Sequence, residues 1–133
     1  MAGDVKEPCL MIIRDASRAV FGCYTTESWR PETCCYGGGE CMVFKIEPTF
    51  QCYRWTSEKQ RKPIFMTSTE DYVMVGGGHT ASVDATGAAA IYFDAELLQG
   101  ASNCSDTFAN DCLASSNDFK IDGLEIWQFV STE

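Results

Sequence analysis

The chain is short of the residues on which most enzyme sites are built. Across 133 residues there is one histidine, His79, so any Ser–His or Cys–His pair has to use it. No G-x-S-x-G elbow frames a serine, and no C-x-x-C spacing offers a zinc knuckle. Cys34 and Cys35 are adjacent and do not readily turn both sulfurs to one ion. The acidic stretch from Asn117 to Gly123 lacks the alternation of a calcium loop. No Lys-Ser/Thr follows Gly76-Gly77-Gly78, so the triplet is not a P-loop. No run of about 18 apolar residues is present, which excludes a membrane-spanning helix. The apolar stretch Cys9 to Ile13 is too short for a signal-peptide core, and the chain is expected in the cytoplasm. Neither a cofactor nor a metal is expected.

Positive charge is the other scarcity. The net charge is −9, and it is uneven. Residues 1–66 carry nine Lys/Arg against eight Asp/Glu; residues 67–133 carry Lys120 alone against eleven acids. Such a half repels a phosphate backbone and an anionic bilayer surface, which argues against nucleic acid and against membrane insertion. A basic protein surface is its natural complement, although an acidic face also serves solubility alone.

What the chain has in plenty is cysteine and strand-forming sequence. The eight cysteines are Cys9, Cys23, Cys34, Cys35, Cys41, Cys52, Cys104 and Cys112. Without an export signal they are expected to stay reduced. Cys9, Cys23, Cys41 and Cys52 lie in apolar strand-like runs, where a thiol acts as a small buried hydrophobe. Leu10 to Ile13 and Val20 to Tyr24 flank a turn near Asp15 and read as a hairpin. Further strand signals are Cys41 to Ile46, Phe50 to Trp55, Tyr72 to Val75, Ala89 to Phe93, Phe119 to Ile121 and Leu124 to Phe129. Helix signals are confined to a turn over residues 94–98 headed by Asp94 and one capped by Asn117 or Asp118. Many short strands with turns between them predict an antiparallel sandwich. Trp29, Trp55 and Trp127 are expected in the core or on the sheets.

The order of landmarks carries more than any one of them. Gly76-Gly77-Gly78 is followed by Ile91-Tyr92-Phe93-Asp94, Leu97-Leu98-Gln99-Gly100, Ser102, Cys104, Thr107-Phe108 and Asn110. Then come Asp118-Phe119, Leu124-Glu125-Ile126-Trp127 and Phe129. Upstream stand Val20 to Tyr24, Trp29-Arg30-Pro31, Tyr36-Gly37 with Glu40, Phe44, and Tyr53-Arg54-Trp55-Thr56. This series resembles the TLDc domain over residues 9–130, leaving residues 1–8 as a flexible N-terminus. The resemblance implies a mainly β (α+β) fold, a sandwich of two antiparallel sheets with short helices.

For function the resemblance implies a non-catalytic interaction module in oxidation resistance. The implied partner is the V1 sector of the vacuolar-type proton-pumping ATPase (V-ATPase V1 subunits), met at endolysosomal membranes. Its expected contact residues are Gly76, Gly77, Gly78 and His79, then Ser102, Cys104, Asp106, Thr107 and Asn110, and finally Glu125. Glu125 between Leu124 and Ile126 is open to three roles: solvent-facing, held in a buried hydrogen bond, or a partner contact. The competing class is a small antioxidant or hydrolytic enzyme using Cys104 or His79. Ser102-Asn103-Cys104-Ser105-Asp106 supplies an acid and no cation to favour a thiolate, which weighs against it.

Three departures from the family pattern stand out. TLDc domains usually begin several tens of residues earlier; without that part a sheet edge is expected to be exposed, favouring self-association. Gln128 follows the tryptophan where glycine is common, and residues 79–87 form a longer segment than usual at this place.

Overall fold

The computed structural model describes residues 7–32, 34–56, 64–77 and 89–130. Gly78, His79, the long segment 79–87 and residues 1–6 lie outside the described residues. Nine strands are described: β1 (Cys9–Asp15), β2 (Val20–Thr25), β3 (Met42–Glu47), β4 (Gln51–Arg54), β5 (Met66–Ser68), β6 (Tyr72–Val75), β7 (Ile91–Asp94), β8 (Gln99–Ala101) and β9 (Asp118–Gln128). All neighbouring pairs are antiparallel. Their spatial order is β4-β3-β2-β1-β9-β8-β7-β6-β5.

The continuous ladder divides at β9. Residues 118–120 of β9 pair with β8, and residues 121–128 pair with β1, with a shift of register between Arg14 and Asp15. The two halves face one another across one core. Met11, Ile13, Phe21 and Val43 come from the β4-to-β1 half; Met66, Val75, Ile91 and Phe93 come from the other. Phe21 and Phe119 meet edge to face across the seam, ring centres 5.2 Å apart and planes at 82°. Each such buried ring contributes about 2–3 kcal/mol by burial, and the paired geometry adds ~1 kcal/mol. Alternation decides which face is inside: Cys9, Met11, Ile13 and Asp15 of β1 are buried, while Arg14 between them is exposed.

The expected helices are not seen among the described residues. Asp94 ends β7 and residues 95–98 make the loop of the β7–β8 hairpin instead. The Leu97 amide bonds the Asp94 carbonyl at 3.0 Å, and Leu97 takes a positive φ of 60°, which no helix continues. Asn117 caps no helix either; its side-chain amide donates to the Ser102 carbonyl and to Asn103 Oδ1, both at 3.0 Å, and Asp118 begins β9. Two further expectations are corrected. Cys52 is exposed on β4, its thiol against Met42 Sδ at 3.4 Å, because β4 has only one neighbour and projects Cys52 outward. Trp127 is 59% exposed near the end of β9, whereas Trp29 and Trp55 pack on the core as expected.

Asp15 is a buried acid inside this apolar frame. Its carboxylate accepts the amides of Ser17 and Ala19, both at 2.9 Å, closing the β1–β2 turn as an Asx turn. It also accepts the amide of Ser115 at 2.8 Å and the Ser115 hydroxyl at 3.1 Å, pinning a loop a hundred residues away. Four donors in fixed positions stabilise a charge that burial alone would penalise. Asp15→Ala orphans those donors and is expected to cost about 3 kcal/mol. The exposed Arg14–Asp122 pair, at 2.9 Å, is a foil: Asp122→Ala should change stability by less than about 0.5 kcal/mol. Urea unfolding of the two variants measures both.

All eight cysteines are free thiols. Cys9, Cys23 and Cys41 are buried; Cys34, Cys35, Cys52 and Cys104 are exposed. Burial raises the thiols of Cys23 and Cys41 above their ordinary value, and for Cys23 the neighbouring Cys41 and Cys9 add to it. The folded state therefore keeps protons that the unfolded chain releases above about pH 8.5. Stability is level below that pH and falls as pH rises through it. The urea midpoint under reducing conditions should be lower at pH 9.5 than at pH 7.5; equal midpoints would contradict this account. Under native conditions Cys34, Cys35, Cys52 and Cys104 should react quickly with a water-soluble maleimide, and Cys9, Cys23 and Cys41 only after unfolding.

Candidate functional site

Two of the three groups of expected contact residues are brought together. After β6 the chain turns at Gly76, whose φ of +82° suits glycine, and passes Gly77, where a Cβ would stand 2.6 Å from the Ile64 side chain. After β8 the loop of residues 102–117 folds against this turn. The Gly77 amide donates to Thr107 Oγ1 at 3.0 Å, and that hydroxyl donates on to the Ile64 carbonyl at 3.1 Å. The Asp106 amide returns a bond to the Gly77 carbonyl at 2.9 Å. Glycines here allow backbone to meet backbone, so the cradle they make is filled by the protein's own loop.

The interior of that loop is polar and satisfied. Ser102 Oγ donates to the Ala90 carbonyl at 2.7 Å and accepts the Leu113 amide at 2.8 Å. Asn110 Oδ1 accepts the Ser105 hydroxyl at 2.6 Å and the Ser105 amide at 3.2 Å. Its amide nitrogen donates to the carbonyls of Asn103 at 3.0 Å and Asp111 at 2.8 Å. Ser102, Thr107 and Asn110 are buried, so they shape the loop rather than touch anything outside. Gly76 and Gly77 are buried as well. At the surface of the same loop stand Cys104, Ala109 and Asp111, with Asp106 half-buried. Tyr53 of β4 packs beside Asp111 and Cys104; burial first, and then the charge of Asp111, push its phenol upward. The outer rim is thus acidic and aromatic, held by a rigid interior.

Glu125 is placed elsewhere, on β9 opposite Ile12 of β1. It is exposed, and its Oε1 accepts the Trp127 indole N–H at 3.1 Å. Of its possible roles, the structure shows the solvent-facing one: its hydrogen bond to Trp127 is exposed and not buried.

Sequence reasoning did not find two other features. Arg14, Ala16, Arg18, Glu47 and Asp122 line an open depression of about 590 Å³ near the β1–β2 turn. Its two arginines are matched by two acids, so it has no uncompensated charge to draw an ion. The second is the Asp15–Ser115 tie, for which an acid at a hairpin turn was the only signal. Among the described residues no three His, Cys, Asp or Glu side chains converge as a metal site, and no helix is long and apolar enough to cross a membrane.

The comparison with known families decides the kinship. The model of the TLDc domain matches residues 2–130. The chain belongs to the TLDc domain family. Nuclear receptor coactivator 7 of Gallus gallus is 30% identical over 128 residues, covering 96% of this chain and 13% of that protein. Oxidation resistance protein 1 of Mus musculus is 34% identical over 122 residues, 92% of this chain and 13% of the relative. The Bos taurus protein of the same name is 33% identical over the same length. The chain therefore spans about an eighth of the relatives it matches.

In this TLDc domain Ser102, Thr107 and Asn110 make the buried bonds of one loop. Asn110→Ala removes four of them, and the cost is expected to be about 2–3 kcal/mol. Hydrogen exchange at the amides of Ser105 and Phe108 should speed up by at least tenfold, while the amides of Met11 and Cys23 in the β1–β2 hairpin stay protected. Uniform acceleration across the domain would show that the loop is not a separate unit.

Proposed function

We propose that this TLDc domain is a non-catalytic interaction module in oxidative-stress resistance, acting in the cytoplasm by docking on the V1 sector of the vacuolar-type proton pump. The observation that carries the reading is the saturation of the loop joining β8 to β9. Its hydroxyls and amide bond to backbone carbonyls and, at Ser105 and Asn110, to one another, which suits a rigid presented surface better than a reacting centre. Catalysis would need a nucleophile with a positioned base or a metal. The role in oxidation resistance is supported by the name of the relative, oxidation resistance protein 1. The choice of V1 rests on the family resemblance and on charge, since eleven acids against one lysine after residue 66 favour a basic protein surface.

A module of this kind acts only through a difference in affinity between two states of its partner. If it holds separated V1 more tightly than the assembled pump, it promotes disassembly; with the opposite preference it stabilises assembly. The contact surface in this reading is the rim around Cys104, Asp106 and Asp111, extended by Asp118 at the start of β9, with Glu125 on the edge of the sheet; Gly78 and His79, also expected as contacts, lie outside the described residues. Purified V1 titrated with the domain tests it. Replacing Asp106, Asp111 and Asp118 together by lysine should weaken binding at least tenfold, with thermal unfolding little changed. Identical affinity for the folded triple variant would remove this surface from the reading.

A further inference from the structure

We infer that the outer edge of β9 is a docking site for an extended segment of a partner protein, taken as an added antiparallel strand whose side chains alternate between aliphatic and arginine. The inference does not depend on the pump as partner.

The argument begins with direction. The Phe129 amide donates to the Pro8 carbonyl at 2.9 Å, toward the β1 side. Peptide groups alternate along an antiparallel strand, so Trp127 and Glu125 also aim their N–H and C=O at β1. Gln128, Ile126 and Leu124 aim theirs the other way. The parity agrees with β1, where the Asp15 amide bonds the Ala19 carbonyl, so Asp15, Ile13, Met11 and Cys9 face β2 and leave Leu10 and Ile12 for β9. On the far side β8 accompanies β9 only through residue 120, with one more bond from the Ile121 amide to the Leu98 carbonyl. Beyond that point no described strand lies along this side of β9, and residues 125–130 are all exposed.

The edge is not guarded in the usual way. Between residues 121 and 130 there is no lysine and no proline, the residues that commonly blunt such an edge. Ile126 is 50% exposed on the core side, next to the partly buried Leu124; Trp127 is 59% exposed on the outer side, next to Glu125. A strand added here would need aliphatic side chains against Leu124 and Ile126 and a different chemistry on the opposite face. That chemistry is set by the Glu125–Trp127 pair. The indole N–H already holds the Glu125 carboxylate at 3.1 Å, which fixes an acid beside an aromatic face. A guanidinium can lie over the indole and donate to the carboxylate at once. Charge also selects against a second copy of this chain. An antiparallel edge-to-edge pair would bring Asp122 and Glu125 of one copy near those of the other, and like charges across a ladder are destabilising.

The test uses a fluorescein-labelled nine-residue peptide of alternating valine and arginine, with two controls: the same composition with a central proline, and glutamate in place of arginine. The first control keeps the charge and loses the ladder. Binding is followed by fluorescence polarisation near 0.15 M salt, and the site by hydrogen exchange. The valine–arginine peptide should bind at least tenfold more tightly than either control. It should protect the amides of Leu124, Ile126 and Gln128 and leave those of Glu125 and Trp127 unchanged, since these are already bonded to β1. Glu125→Gln, an exposed change that leaves the fold intact, should weaken binding about fivefold. Equal binding of the proline control would reduce the effect to charge attraction and overturn the inference. So would protection elsewhere in the chain, or concentration-dependent dimerisation that protects the same three amides without peptide, which would assign the edge to a second copy.

Discussion

β9 belongs to both halves of this domain at once. Its first three residues pair with β8 and the rest with β1, so the hydrogen bonds that define one half are continuous with those that define the other. The core depends on that continuity. Phe119 leaves the β8 side of β9 to meet Phe21 of β2, and Leu124 leaves the β1 side to pack on the same cluster. The shift of register where β9 passes Arg14 and Asp15 re-aims the strand between its two partners. Asp15 stands at that place, and its carboxylate ties the β1–β2 turn to Ser115, just ahead of β9. Packing, pairing and the buried charge thus converge on one short region.

The polar loop between β8 and β9 follows from the same arrangement. A connection of sixteen residues that crosses the end of a sandwich exposes its own peptide groups to an apolar interior unless side chains answer them. Ser102, Ser105, Thr107 and Asn110 answer them, and the paired glycines after β6 let the second loop approach closely enough to take part. These four side chains are in this sense solutions to a burial problem. What these bonds leave at the surface is the rim of Cys104, Ala109 and Asp111.

The strands with clear alternation were legible in the sequence: the β1–β2 hairpin, β3, β4, β6 and β7 lie where apolar runs and turn residues place them. β5 and β8 have three residues each, too few for any period to register. Asp122-Gly123 reads as a break between two strands, but it is the irregularity at which one long strand changes partner. Residues 94–98 carry an acid and two leucines, as a helical turn would, and tertiary pairing of β7 with β8 makes residues 95–98 a hairpin loop. At the site, the sequence named the residues of the loop but not their burial, because serine, threonine and asparagine look alike in a list whether they face water or backbone. Trp127 was expected in the core or packed on a sheet; it lies on β9, on the face that alternation turns away from the core, beside Glu125.

The order of pairing has a bearing on how such a chain comes into being. β9 follows β1 after about a hundred further residues, with all the other described strands in between. On a ribosome the β2-β1 face therefore waits for the strand that covers it, and the β5-to-β8 half waits for the same one. Neither half can close first and template the other, so closure is a single late event across a long loop, of the kind that slows folding. Until β9 is made, such a chain carries two incomplete sheets, whose β1 and β8 edges await the same strand.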